Sequence, residues 1–331
     1  MTSTTALAVP ASPRRTRLRP HGLPAALLIL HRSALWFWLL LVAVAAGTLL
    51  WTYGYGLDAA FAQFTRAGCH DGAVAQACDY SGGDRDLLGT AVSVGRGLLN
   101  VVPLLTAAWA GGALISRELE NGTAQLAWTQ SVSPARWLAA KLAVPGALLV
   151  TGTALLTFLH RLVWDKHSEV WGPLGSWKWH ENGNYFANGT LATAYPLLGL
   201  ALGALAGLLL RRPLPALGVA VLSLLTLMSV LDDLRPHLWP VETLTRKTGY
   251  PEWTGMVVGD GALTSTGKHV SDPYCVSDTK CLADHDIVGY FRDYHPASHF
   301  WPLQLMETGI VLALTAAATA ATFWLLRRRT A

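Results

Sequence analysis

Charge is scarce in this chain. Of its 331 residues, 14% are Asp, Glu, Lys or Arg and 52% are hydrophobic, where a soluble domain carries about 25% charged residues. That shortfall excludes an ordinary water-soluble globule. Cysteine is scarce too: four residues are too few for a small disulfide scaffold, and so apolar a composition excludes a disordered chain. The net charge of +4 is small and sorts by segment into no continuous basic face, so nucleic acid is no partner. Catalytic signatures are missing as well. There is no Gly-x-x-x-x-Gly-Lys-Ser/Thr phosphate loop and no His-Glu-x-x-His metal motif, and no apolar run pairs a serine with a histidine. No catalytic, cofactor-binding or metal-binding residue is assigned.

What the chain has is long apolar runs. Crossing a hydrocarbon core of ~30 Å takes roughly 20 helical residues, and six segments meet or approach that length: 34–51, 98–116, 138–160, 191–210, 214–231 and 301–326. In lipid every backbone polar group needs a partner within its own segment, so helix is the state these runs dictate. The expected fold is all-α and integral to the membrane, with a six-span domain over 34–331. Residues 1–33 precede it, and the apolar stretch His21 to Arg32 is expected to lie in the interface as a helix leading into span 1. A cleaved secretory signal is the rival reading of the N-terminus. An Arg-rich lead of 33 residues is long for a signal, and the uncleaved span is adopted.

Lys and Arg assign the sides. Arg14, Arg15, Arg17, Arg19, Arg32, Arg117, Arg136, Lys141, Arg211, Arg212 and Arg327 to Arg329 fall in one set of short connections, against only Glu118 and Glu120. The opposite set, 52–97, 161–190 and 232–300, holds 12 basic and 18 acidic residues in much longer loops. Basic density marks the cytoplasmic face, so both termini are expected in the cytoplasm of a plasma-membrane protein with large extracellular loops. Trp36, Trp38, Trp51, Trp137, Trp164, Trp301 and Trp324 sit near the ends of the spans, where indole prefers the headgroup level. Gly111 and Gly112, and Gly199, Gly203 and Gly207 at four-residue spacing, would permit close helix contact.

Several residues stand out against this background. Cys69, Cys78, Cys275 and Cys281 all fall in the outer loops, and their short intervals favour two local bridges, Cys69–Cys78 and Cys275–Cys281. His295 and His299 are spaced like two zinc ligands, but Pro296 disfavours a continuous helix, and solvated loop histidines are the reading taken. Asn121 and Asn188 each open an Asn-Gly-Thr glycosylation pattern, the first on the cytoplasmic side. Glu307 is the one acid well inside a span and is costly there unless paired. Gln304 shares its face. Arg96, with Asn100 a turn deeper, is the first partner to consider, and structural pairing is weighed ahead of substrate contact.

The link between spans 2 and 3 reads SRELENGTAQLAWTQSVSPARWLAAKL over Ser116 to Leu142. Asn121-Gly122 is a helix stop, Thr123 is placed to cap a short helix from Ala124 to Gln130, and Ser133-Pro134 opens span 3. Leu126, Ala127 and Trp128 on that helix have no membrane depth to fill. They either rest on the lipid interface or dock into a partner.

RELENGT followed by WTQSVSPARWLAAKL, together with YHPASHFWPLQLMETG at Tyr294 to Gly309, resembles permease subunits of actinobacterial type-2 ATP-binding cassette (ABC) exporters. The resemblance implies a subunit without ATPase motifs of its own. Cytoplasmic ATPase subunits, which bind ATP and Mg, and a second permease chain, identical or not, would complete the transporter beside membrane lipid. The short helix becomes the coupling helix, with Glu118, Glu120, Gly122, Thr123, Leu126, Trp128 and Arg136 as the ATPase-coupling residues. The substrate is expected to be hydrophobic or amphiphilic. The alternative is a non-transporting membrane sensor or immunity protein that binds a ligand through its extracellular loops.

Overall fold

The computed structural model describes residues 23–69, 82–129, 132–171, 177–252, 255–276 and 278–330. Among these residues a short helix α1 (Leu23–Leu30) leads into the first of six helices long and apolar enough to cross a membrane. These are α2 (Arg32–Arg66), α3 (Gly83–Glu120), α5 (Pro134–Trp171), α7 (Leu191–Leu210), α8 (Pro213–His237) and α10 (Ala297–Thr330), referred to below as spans 1 to 6. Two short helices lie between them, α4 (Thr123–Thr129) and α6 (Asn182–Ala187). The link from span 5 to span 6 carries strands β1 (Glu242–Arg246), β2 (Met256–Thr264), β3 (His269–Val270) and β4 (Ile287–His295), with helix α9 (Thr279–Asp284) before β4.

All six expected spans are present, and span 4 has the bounds read from the sequence. Spans 1, 2 and 3 run far past their apolar cores into what the sequence presented as loop. The cause is a second, smaller core: Leu57 and Phe64 of span 1 pack with Leu88 and Val92 of span 2 and Trp171 of span 3. Amphipathic turns that bury one face on one another remain helical beyond the lipid.

Span 4 is the axis of the bundle, lying against spans 2, 3, 5 and 6. Its glycines explain how. A Cβ on Gly199 would stand 2.7 Å from the Pro103 carbonyl oxygen, and one on Gly203 would stand 2.5 Å from the Ala110 Cβ and 2.7 Å from the Gly111 nitrogen. Gly111 in turn leaves room for span 5, where a Cβ would meet the Ala216 carbonyl at 2.7 Å. Spans 2, 4 and 5 thus touch backbone to backbone, which only glycine permits.

The four strands form one antiparallel sheet in the order β1-β4-β2-β3. Glu242 pairs with Tyr294 and Arg246 with Tyr290, while Ala262 of β2 sits between Tyr290 of β4 and Val270 of β3. The sequence reading left this stretch as loop, because β2 and β4 carry glycines and charges rather than a clean apolar alternation. The Cys275–Cys281 bridge is formed, closing the turn that precedes β4; Cys78, needed for the other expected pair, lies outside the described residues. We call the end of the bundle that bears the sheet the sheet side, and the end with Arg117, Arg136, Arg211 and Arg212 the basic side.

His295 and His299 join the sheet to span 6 and are not the solvated pair the sequence suggested. His295 is fully buried. Its Nε2 lies 2.9 Å from the Pro236 carbonyl, which can only accept, so Nδ1 of His295 must itself accept from Nδ1 of His299, 3.0 Å away. Nε2 of His299 faces Glu242 at 3.4 Å. Burial holds the His295 imidazole below its ordinary value of 6.5, with the His299 and His237 rings acting in the same direction and Glu242 and the Pro236 carbonyl against it.

The unfolded chain therefore binds this proton at higher pH than the folded one, and stability is lost as pH falls below 6.5. Thermal melts are expected to show the wild type losing stability between pH 7.5 and 5.0, with a shallower loss in His295→Gln; equal slopes would contradict the assignment.

Candidate functional site

On the basic side, span 2 ends in a widened turn. Residues Ala110–Leu114 are π-helical, and the Ser116 hydroxyl donates to the Gly111 carbonyl at 2.6 Å. After Glu120 the backbone reverses at Gly122, whose φ of +72° is a left-handed conformation that glycine adopts without strain. Helix α4 follows and crosses this face. The Thr123 hydroxyl donates back to the Glu118 carbonyl at 3.3 Å instead of capping the new helix, since Thr123 is already within α4. The Ser133 hydroxyl accepts from the Arg136 backbone N–H at 3.4 Å and caps span 3, as its sequence indicated.

Glu118 braces this turn. Its carboxylate accepts from Lys141 Nζ at 2.6 Å and from Trp137 Nε1 at 3.2 Å, and Lys141 also donates to the Leu114 carbonyl at 2.7 Å. Lys141 is buried, so the pair is held away from water and ties the end of span 2 to the start of span 3. The Trp128 indole stands edge-on to Trp137 at 5.6 Å, and Ala124 is fully buried beneath it. One face of α4 is thereby fixed to the bundle. Its other face is bare, with Leu126 61% exposed beside exposed Gln125. Of the remaining residues singled out here, Glu120 and Arg136 are exposed and form no ion pair among the described residues. Lys141, counted in the sequence only among the basic residues of this face, is the counter-ion that makes Glu118 a brace.

On the sheet side, α6 is buried among the spans: Asn184, Tyr185 and Ala187 are inaccessible to solvent and Phe186 nearly so. Four spans hold this segment through polar side chains. Arg96 of span 2 donates to Asn184 Oδ1 at 2.7 Å. From span 3, His160 Nδ1 lies 2.7 Å from Asn188 Oδ1 and Arg161 donates to the Asn188 carbonyl at 2.8 Å. Gln304 of span 6 donates to the Tyr185 carbonyl at 2.6 Å, and Arg235 at the end of span 5 reaches Asn182 Oδ1 at 3.3 Å with its guanidinium 4.2 Å from the centre of the Tyr185 ring. Asn188, second of the two glycosylation patterns, is buried and engaged.

Glu307 is fully buried and paired, but with Arg235 rather than Arg96. Arg235 Nε donates to Oε2 at 2.8 Å and Nη2 to Oε1 at 3.2 Å; the Tyr195 hydroxyl adds a third bond at 2.7 Å. Asp232 takes the remaining edge of the guanidinium at 2.6 Å. Arg96 goes to Asn184 because α6, which sequence placed in an open loop, enters between it and span 6. Asn100 does lie near Arg96: a Cβ on Gly183 would meet both, the Arg96 Cδ at 3.2 Å and Asn100 Nδ2 at 3.5 Å. The signal for Arg235 was present in Asp232 three residues earlier, a spacing that faces two helical side chains toward each other.

These features define a six-span helical membrane protein with an interfacial helix pinned between spans 2 and 3. A family model described as ABC-2 membrane transporter related matches residues 39–235, and the chain belongs to that family. The match begins in span 1 and ends at Arg235, so it includes the α4 connection. No curated protein and no solved structure matches the chain.

Removing one member of a buried ion pair strands the other and costs about 3–5 kcal/mol. Glu307→Gln is expected to destabilise the protein on that scale. Combined with Arg235→Ala it should cost ~1–3 kcal/mol less than the two singles added together, whereas with Arg96→Ala the losses should add. Thermal melts of the double-mutant cycles measure this, and full additivity of Glu307→Gln with Arg235→Ala would contradict the pairing.

Proposed function

We propose that this chain is the membrane subunit of an ABC exporter, working with a second permease chain and with separate cytoplasmic ATPase subunits that bind ATP and Mg. The basic side then faces the cytoplasm of the plasma membrane, and the sheet lies outside the cell. The observation that carries the reading is α4: a helix held to spans 2 and 3 on one face by buried Ala124, the Trp128–Trp137 contact and the Thr123–Glu118 hydrogen bond, with a leucine bare on the other. Such a helix transmits force, because whatever seizes its free face moves two spans at once. The other short basic-side connection, Arg211 to Arg212, offers no comparable surface. The chain has no phosphate loop of its own, so ATP-driven motion must come from a partner docked there. A substrate of hydrophobic or amphiphilic character is in keeping with spans as apolar as these.

Leu126→Asp tests the docking directly. In an ATPase groove the new carboxylate would be desolvated without a partner, at a cost of about 3 kcal/mol or more, equivalent to at least a hundredfold loss of affinity. Membrane insertion should be unchanged, since α4 lies outside the apolar core. Expected is a normally inserted chain that no longer retains its ATPase on purification. Retention equal to wild type would contradict the coupling role and favour the sensor.

A further inference from the structure

We infer that the basic side carries a binding site for an anionic phospholipid, its headgroup held by arginines at the ends of spans 4 and 6 and its acyl chains lying on the apolar residues beside them. The inference needs only that the spans cross a membrane and does not depend on the permease reading.

Two helix ends meet here. Span 4 is followed by Arg211 and Arg212, after which Pro213 opens span 5, and span 6 ends in the run Arg327, Arg328, Arg329. The seam between them is tight. Leu208 and Leu326 are buried in one cluster, and an N–H of Arg329 donates to the Leu208 carbonyl. Arg211 stands three residues beyond that carbonyl, near enough to Arg329 for their like charges to repel. Five guanidinium groups thus gather at one seam, all on exposed residues.

No carboxylate of the chain answers them. None of the five arginines forms an ion pair among the described residues. The acids of this side are Glu118 and Glu120 at the end of span 2, and Glu118 is taken by Lys141. Arg211 moreover has a φ of +54°, a left-handed conformation that glycine or asparagine adopts more readily. An external anion would offset the repulsion at the seam.

The surroundings say which anion. Leu210 is 41% exposed, Leu214 80% and Trp324 54%, each within four residues of an arginine of the cluster. The Arg328 guanidinium lies 4.0 Å from the centre of the Trp324 ring, so cation and indole share one level, and indole prefers that of the headgroups. A soluble polyanion would meet the arginines and leave the leucines in water. An apolar protein surface would cover the leucines and leave five charges unanswered. A lipid with an anionic head and acyl chains matches both, and basic pockets between membrane helices take such headgroups, with guanidinium forks suited to phosphate oxygens.

The full chain would be reconstituted in vesicles of phosphatidylcholine with phosphatidylglycerol as the minor component, extracted in mild detergent, and its retained phospholipid quantified by mass spectrometry. Phosphatidylglycerol is expected to be enriched at least fivefold over its share in the vesicle. Enrichment should fall below twofold in the triple variant Arg212→Gln, Arg327→Gln, Arg328→Gln, which leaves the Arg329 bond to Leu208 in place, and should persist in Arg32→Gln on span 1. Enrichment below twofold in the wild type, or equal enrichment in the triple variant, overturns the inference.

Should the triple variant fail to insert, the wild type supplies a second measurement. Phosphatidylglycerol with a photo-reactive group next to its headgroup should cross-link to residues 209–214 and 324–330 at least fivefold more than the phosphatidylcholine analogue, and equal cross-linking would overturn the site. The same probes in native membranes detect a protein cover: loss of the preference there, with cross-links to this seam seen only in the isolated chain, would assign the seam to a protein and overturn the inference as well.

Discussion

A charge inside a helical bundle must find its counter-charge within the bundle, and this requirement organises the molecule at both ends. Lys141 and Glu118 satisfy it on the basic side, Arg235 and Glu307 on the sheet side. The first pair spans the short connection that bears α4 and the second the long link that bears the sheet, and each is completed by an aromatic donor, Trp137 in one case and Tyr195 in the other. Leaving either charge single would cost several kcal/mol. The pairs therefore fix where the ends of spans 2, 3, 5 and 6 stand, and α4 and α6 take their positions from those ends.

Between the two pairs the bundle is held by close packing rather than by charge. The glycines of span 4 let spans 2 and 4 approach to backbone contact, with Pro103 and the π-helical turn of span 2 on the opposing surface. A proline removes one hydrogen bond of the helical ladder and a π-turn shifts its register. Span 2 thus carries two interruptions of its ladder between Arg96 and α4, and span 4 beside it carries one, at Pro196.

How much of this was legible in the sequence depends on the range of the interaction. Apolar runs are local properties, and the spans are legible from them, with span 4 correct to the residue. The turn at Gly122 and the cap at Ser133 are also local, and were read correctly. Partners were not. Glu307 was recognised as a buried acid in need of a cation, but its partner depended on α6 folding back among the spans, which no periodicity in a six-residue helix announces. The same limit hid the sheet, whose strands are defined by their pairing rather than by their composition, and made His295 look solvated when it is buried against Pro236.

The central claim is that the bare face of α4 is where an ATPase seats. A photo-reactive phenylalanine analogue in place of Leu126, irradiated in intact membranes, reports what touches that face. The account predicts a cross-linked product containing a second protein that carries the phosphate-binding loop this chain lacks, and loss of that product when ATPase subunits are stripped from the membrane. Cross-linking to lipid alone, with the ATPase present and the chain fully inserted, would contradict it.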